Sequence, residues 1–192
     1  MNLPKSAVQN KNPIFSRDLI SLKSIATWFA LFILRIISLL PYKVLMVLGS
    51  ILGRLLYRIS PHRRQICRIN IERCLGLQNE QLDKLVKLNF EATGRGVFET
   101  ALAWWSSDNK ISNLKTNITN GDILKNSNEG VLVLIKHSTH LELDLRLLAN
   151  FFDLTGMFKT QTNQVINYVM IKARNNYIKG SLTNKEALRA LR

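Results

Sequence analysis

Five consecutive apolar residues, Val131 to Ile135, run into Lys136 and His137, and within a few more residues the pattern turns helical. A β-branched run of that length, closed by a change of period, predicts a strand that delivers a histidine to its mouth. Leu141, Leu143, Leu145, Leu147 and Leu148, interleaved with Glu142, Asp144 and Arg146, predict a helix from about Thr139. Strand followed by helix predicts an α/β fold, and the C-terminal edge of a sheet is where such folds keep their sites.

The pairing of His137 with Glu142 has a chemical use. Imidazole is the side chain whose ordinary pKa lies near neutrality, so it can take a proton from a hydroxyl and hold it. A carboxylate nearby fixes the tautomer and steadies the imidazolium. No serine or cysteine nucleophile accompanies the pair, so the substrate's own hydroxyl would attack, which points to acyl transfer onto an alcohol. The bland alternative is a surface histidine at a helix start.

Other chemistries have weaker support. His137, His140, Glu142 and Asp144 crowd into eight residues, but they lack the i,i+4 histidine pair that sets two metal ligands on one helical face. His140 and Asp144, four apart, can pair across one helical turn. Cys67 and Cys74 sit two helical turns apart, too far for a local disulfide, and are expected as reduced thiols. The formal net charge of +14 would suit nucleic acid, yet no aromatic-interleaved basic strand, helix-turn-helix or zinc-finger spacing accompanies it. No nucleic-acid partner is expected.

The charge instead abuts the greasiest part of a chain that is 46% hydrophobic. From Ile25 to Leu40 the only charge is Arg35, a run slightly short of the roughly 20 residues that cross a bilayer, and it is read as a membrane anchor. No small-x-small cleavage site follows it before Pro41. Pro41 opens a second apolar helix, Tyr42 to Ile59, whose Gly49 and Gly53 permit close backbone approach, expected to be to the first helix. Arg54, Arg58, Arg63, Arg64, Arg68 and Arg73 then form a basic band suited to an anionic membrane surface, an acidic protein or the phosphates of a glycolipid. Glu80 to Trp105 reads as helical, interrupted at Gly94 and Gly96, and Ser106 to Asn113 with Asn117 to Asn128 as a polar linker.

Taken in order, LGSILGRLLYRIS, HRRQICRINIERCLGL, LNFEATGRGVFETALAWW (Leu88 to Trp105) and the His137/Glu142 motif resemble the bacterial lipid A late acyltransferases, over nearly all of residues 25–192. The resemblance implies transfer of a fatty acyl chain from an acyl carrier protein thioester to a hydroxyl of a lipid A precursor. It also implies a glycerolipid-acyltransferase-like αβα core at the cytoplasmic face of the bacterial inner membrane, with no metal or redox cofactor. Carried over by position, His137 would be the general base, Glu142 its orienting partner and Arg174 a second catalytic residue. Arg146 matches the family's Glu-x3-Arg arginine and would meet substrate, as would Lys159 and Lys136. Cations are sensible there because attack on a thioester develops charge on oxygen and the acceptor carries phosphates.

The chain departs from that family in two places. Lys136 stands where a glycine usually precedes the histidine, and Phe158-Lys159-Thr160-Gln161 replaces an Arg-Pro step. Family members also continue for roughly another hundred residues, a domain-sized difference, whereas this sequence stops inside what reads as an amphipathic helix, Asn184 to Arg192. The expected organisation is a basic tail (1–24), an anchor with an adjoining apolar helix (25–59) and the N-terminal part of an acyltransferase-like domain (60–192). A catalytically silent membrane-bound fragment that binds anionic lipid or a partner is the competing expectation.

Overall fold

The computed structural model describes residues 13–114, 116–122 and 131–183; the expectations placed on residues 1–12, on part of the 117–128 linker and on a helix over 184–192 lie outside them. A single 3-10 turn (Arg17–Leu19) leads into α1 (Leu22–Ile37), α2 (Tyr42–Ile59), α3 (Pro61–Leu75) and the long α4 (Asn79–Trp105). The short α5 (Asp108–Ser112), α6 (Leu141–Leu148), β1 (Thr155–Phe158), α7 (Gln164–Arg174) and β2 (Gly180–Thr183) follow. β1 and β2 pair in parallel from Thr155↔Gly180 to Phe158↔Thr183, with α7 as the crossover their direction requires. Asn163 starts α7 by accepting hydrogen bonds from the Val165 and Ile166 amides at 3.0 and 3.1 Å.

α4 is the axis of the fold. Its buried positions Leu82, Val86, Phe90, Gly94 and Phe98 recur every fourth residue and make one inward stripe. Against it lies the α2 stripe of Leu45, Gly49 and Gly53. The glycines are where the two backbones touch: a Cβ on Gly49 would stand 2.5 Å from Arg95 Cα, and one on Gly94 would overlap the Gly49 carbonyl. Two expectations are thereby corrected. The α2 glycine pair packs on α4 rather than on α1, and Gly94 and Gly96 do not interrupt α4, because both serve close approach of another backbone instead of a break.

Three apolar clusters follow from this axis. Leu45, Phe98, Leu102, Ile111 and Leu143 join α2, α4, α5 and α6. Leu19, Leu31 and Val165, with Trp28, Trp105 and Tyr168 against them, tie α1 to α7. Leu82, Val86 and Phe90 receive Leu56, Tyr57 and Ile71 from α2 and α3. α3 itself buries no residue fully and ends at Gly76, whose φ of +64° is the left-handed cap. The basic band, which runs from the end of α2 through α3, is largely solvated and pairs with α4 through Arg54–Glu91 (3.5 Å) from α2 and Arg68–Asp83 from α3.

α1 and α2 keep a broad apolar face in solvent: Phe29, Phe32 and Ile36 on α1 and Val47, Ile51 and Leu55 on α2 are each at least half exposed. Among the described residues no single helix is long and apolar enough to cross a membrane; α2 and α3 together pass that test only as a pair bent by 100°. The segment expected as an anchor forms the 16-residue helix α1.

Of the expected αβα core the described residues hold one parallel β–α–β unit, β1–α7–β2. The described residues are mostly helical and their one sheet is the two-stranded β1–β2. Val131 to Ile135, the segment read as a central strand, joins no sheet among them, and its side chains stand exposed on both faces, Leu132 at 88% and Val133 at 44%. A strand satisfies its backbone only through a neighbour, so a strand-like pattern without an adjacent ladder stays extended chain.

Candidate functional site

Three elements converge on the carboxylate of Glu142, at the first turn of α6. Its Oε2 accepts hydrogen bonds from Trp104 Nε1 at 3.0 Å, Arg174 Nε at 3.2 Å and Tyr177 OH at 3.4 Å, and Arg174 Nη2 donates to Oε1. Trp104 comes from the last turn of α4, Arg174 from the last residue of α7, and Tyr177 from the turn that leads to β2. Arg174 thus grips both carboxylate oxygens with the two parallel donors of one guanidinium edge, which lysine could not do. Both side chains are nearly buried, at 11% and 14% exposure.

Burial shapes the electrostatics. For Arg174, desolvation alone would lower its pKa, but the hydrogen bonds and charge of Glu142 outweigh it and the guanidinium is held above its ordinary value. For Tyr177, burial and then the nearby Glu142 charge push the phenol well above its ordinary range, so it stays a donor. The Arg174 guanidinium also lies 5.6 Å from the Phe158 ring, which brings β1 to the cluster.

Arg146, one turn along α6, is 6% exposed. Its Nη2 pairs with Asp108 and its guanidinium stacks on Tyr177 at 4.7 Å, while its Nε is buried without a partner among the described residues. The sequence-predicted residues therefore divide. Glu142, Arg174 and Arg146 fall in one buried network; His137, Lys136 and Lys159 lie exposed, and His137 has no hydrogen bond or ion pair among the described residues.

The acid–histidine pair that does form among the described residues is a different one. Glu99, on α4, is 3% exposed and takes His140 Nδ1 on Oε2 at 2.5 Å and Tyr42 OH on Oε1 at 2.9 Å. The pairing of His140 with Asp144 expected from the sequence is not the one formed: His140 meets Glu99 instead. Trp104, Tyr177, Tyr42 and the pairing of Glu99 with His140 are what sequence reasoning missed. One signal was there: an acid set among Val97, Phe98, Ala101 and Leu102 on an inward helix face needs a partner.

Among the described residues no three His, Cys, Asp or Glu side chains gather as metal ligands. Cys67 and Cys74 are free thiols, and partial burial raises the Cys67 pKa. A shallow cavity of about 290 Å³ lies between α5 and α6, lined by Asp108, Ile111 and Leu147 and away from Glu142.

Sequence comparison places these features among known proteins. Residues 12–192 match the profile of the bacterial lipid A biosynthesis acyltransferases. The lipid A biosynthesis palmitoleoyltransferase of Escherichia coli K12 is 29% identical over 164 residues, covering 83% of this chain and 53% of that protein. The lauroyltransferase of the same organism is 30% identical over 177 residues, covering 91% and 58%. A lipid A biosynthesis acyltransferase of Haemophilus influenzae is 24% identical, covering 92% and 58%. The chain thus spans a little over half the length of these relatives. No solved structure matches it. With the profile running through the Trp104, Glu142 and Arg174 positions, the chain belongs to the bacterial lipid A biosynthesis acyltransferase family.

Proposed function

We propose that this chain carries the histidine–glutamate site of an acyl transfer from acyl carrier protein to a hydroxyl of a lipid A precursor. The observation that supports this most is the fixed Glu142 carboxylate, gripped by Arg174, Trp104 and Tyr177 five residues beyond His137. Oε1 accepts one of those bonds, which leaves it acceptor capacity for the imidazole.

In this reading His137 removes the acceptor hydroxyl proton as that oxygen attacks the thioester carbonyl. Charge passes to the carbonyl oxygen, where backbone N–H groups or a cation stabilise it. Collapse expels the carrier thiolate, which recovers the proton from the imidazolium, so the products are an ester and a free thiol. Arg174 acts by holding Glu142. Arg146, buried against Asp108 and Tyr177, supports the network from behind, and Lys136 and Lys159 remain exposed for the acceptor's phosphates. The apolar faces of α1 and α2 would lie on the cytoplasmic face of the inner membrane with the basic band toward anionic headgroups.

The second reading, a membrane-bound chain without turnover, is favoured by the unpaired 131–135 segment that leads to His137. The test uses membranes carrying the chain and offers labelled acyl groups on carrier protein or on coenzyme A, with and without a lipid A precursor. Product that requires both the carrier thioester and the precursor supports the transfer; hydrolysis alone, or no product from folded, membrane-bound chain, supports the second reading.

A further inference from the structure

We infer that Glu99 and His140 form a clamp that positions the turn bearing His137, making both of them positioning residues for the proposed transfer; the inference rests on His137 being the base. A carboxylate with 3% exposure in the middle of α4 is costly unless its oxygens are satisfied, and here each oxygen has one partner from a different element. Tyr42 opens α2, and His140 is the residue immediately before α6. One buried acid thus ties α2 and α4 to the short turn between His137 and Glu142.

A second contact falls on the same turn. Gly96, three residues before Glu99, lies so close that a Cβ there would stand 2.5 Å from the Thr139 carbonyl oxygen. α4 therefore holds Thr139 by its backbone and His140 by its side chain. The segment on the other side of His137 has no ladder among the described residues to fix it. In the usual arrangement a sheet would fix a histidine at a strand end; here the clamp is the support next to it. The His140 side chain is 45% exposed, so packing does not account for its placement, and the Glu99 hydrogen bond does.

The full chain in membranes is compared with His140→Ala, His140→Asn and Glu99→Gln. Asparagine is the discriminating variant, because its amide N–H donates from nearly the place of Nδ1 yet carries no proton in catalysis. The clamp predicts kcat lowered about 10- to 100-fold in His140→Ala with KM little changed, since misplacement by an ångström costs rates of that order. His140→Asn is expected to restore most of it.

Hydrogen exchange of the peptide over 134–145 supplies a readout independent of turnover. Amides there are expected to exchange about tenfold faster in His140→Ala and Glu99→Gln and near the unmutated rate in His140→Asn, with global unfolding little moved. Faster local exchange in a chain without turnover supports the clamp and removes the catalytic reading it rests on. Unchanged exchange overturns the clamp whatever the turnover. Impairment of His140→Asn equal to His140→Ala also overturns it, since His140 would then be moving the proton itself.

Discussion

At the scale of single residues, Glu142 is only as well placed as the groups that hold it. Arg174→Ala would leave a nearly buried carboxylate facing only Trp104 and Tyr177, and removing one partner of such a pair costs about 3 kcal/mol. Arg174→Lys keeps the charge but loses the fork, so denaturation in detergent should place it between the alanine variant and the unmutated chain. Tyr177 gives a pH signature. Its phenol is raised from an ordinary 10.0, so the folded state keeps the proton that the unfolded state gives up. The stability this contributes is complete below pH 10 and is lost as pH rises toward the higher folded value. The stability gap between the unmutated chain and Tyr177→Phe should therefore be constant from pH 7 to 9 and shrink above pH 10 in guanidinium titrations.

At the scale of elements, α2 against α4 is the contact on which the rest is built. Gly94→Ala places a methyl group into the Gly49 carbonyl and Gly53 backbone, neither of which can turn aside as a side chain would. Overpacking of that kind costs about 1–3 kcal/mol, partly offset by about 1 kcal/mol of helix propensity. A net loss is expected, visible as a lower thermal midpoint, whereas Gly121→Ala, facing only side chains at 3.1 Å or more, should shift it little. Helices α1 to α4 and α6 were legible in the sequence because capping, prolines and apolar spacing are local: Pro41 opens α2, Pro61 opens α3, and the period of α4 survives its glycines, whereas α5 (Asp108–Ser112), with Ile111 buried, lies in the stretch read as a polar linker. That 131–135 joins no sheet among the described residues was not legible, because pairing is decided by a distant segment. Partners of buried polar groups were hidden for the same reason. Tyr42 and Glu99 are 57 residues apart, and nothing in the spacing of either names the other. His137 and Glu142 were legible from the strand-to-helix pattern around them and Arg174 only through the resemblance, and the structure adds what Glu142 touches.

At the scale of the whole molecule, the exposed apolar residues of α1 and α2 and the basic band after them are what the proposed contact with an anionic bilayer would use. Phe29 and Phe32, at 64% and 60% exposure, are the residues with most to bury there. Replacing both with serine should leave the fold intact, since neither belongs to the buried clusters. Partitioning onto phosphatidylglycerol vesicles should fall about tenfold or more, because each phenyl ring contributes about 1.5–3 kcal/mol when taken out of water. Flotation with and without the substitutions measures it.

The central claim is that His137 is the base of an acyl transfer. The direct measurement is turnover of labelled acyl carrier protein thioester with a lipid A precursor by membranes carrying the unmutated chain or His137→Ala, each matched for folded protein. The account expects product from the unmutated chain and a loss of about 10²- to 10⁴-fold in the variant, the range that general base catalysis supplies. Equal turnover by the two chains, or none from the unmutated chain while folded and membrane-bound, would contradict it.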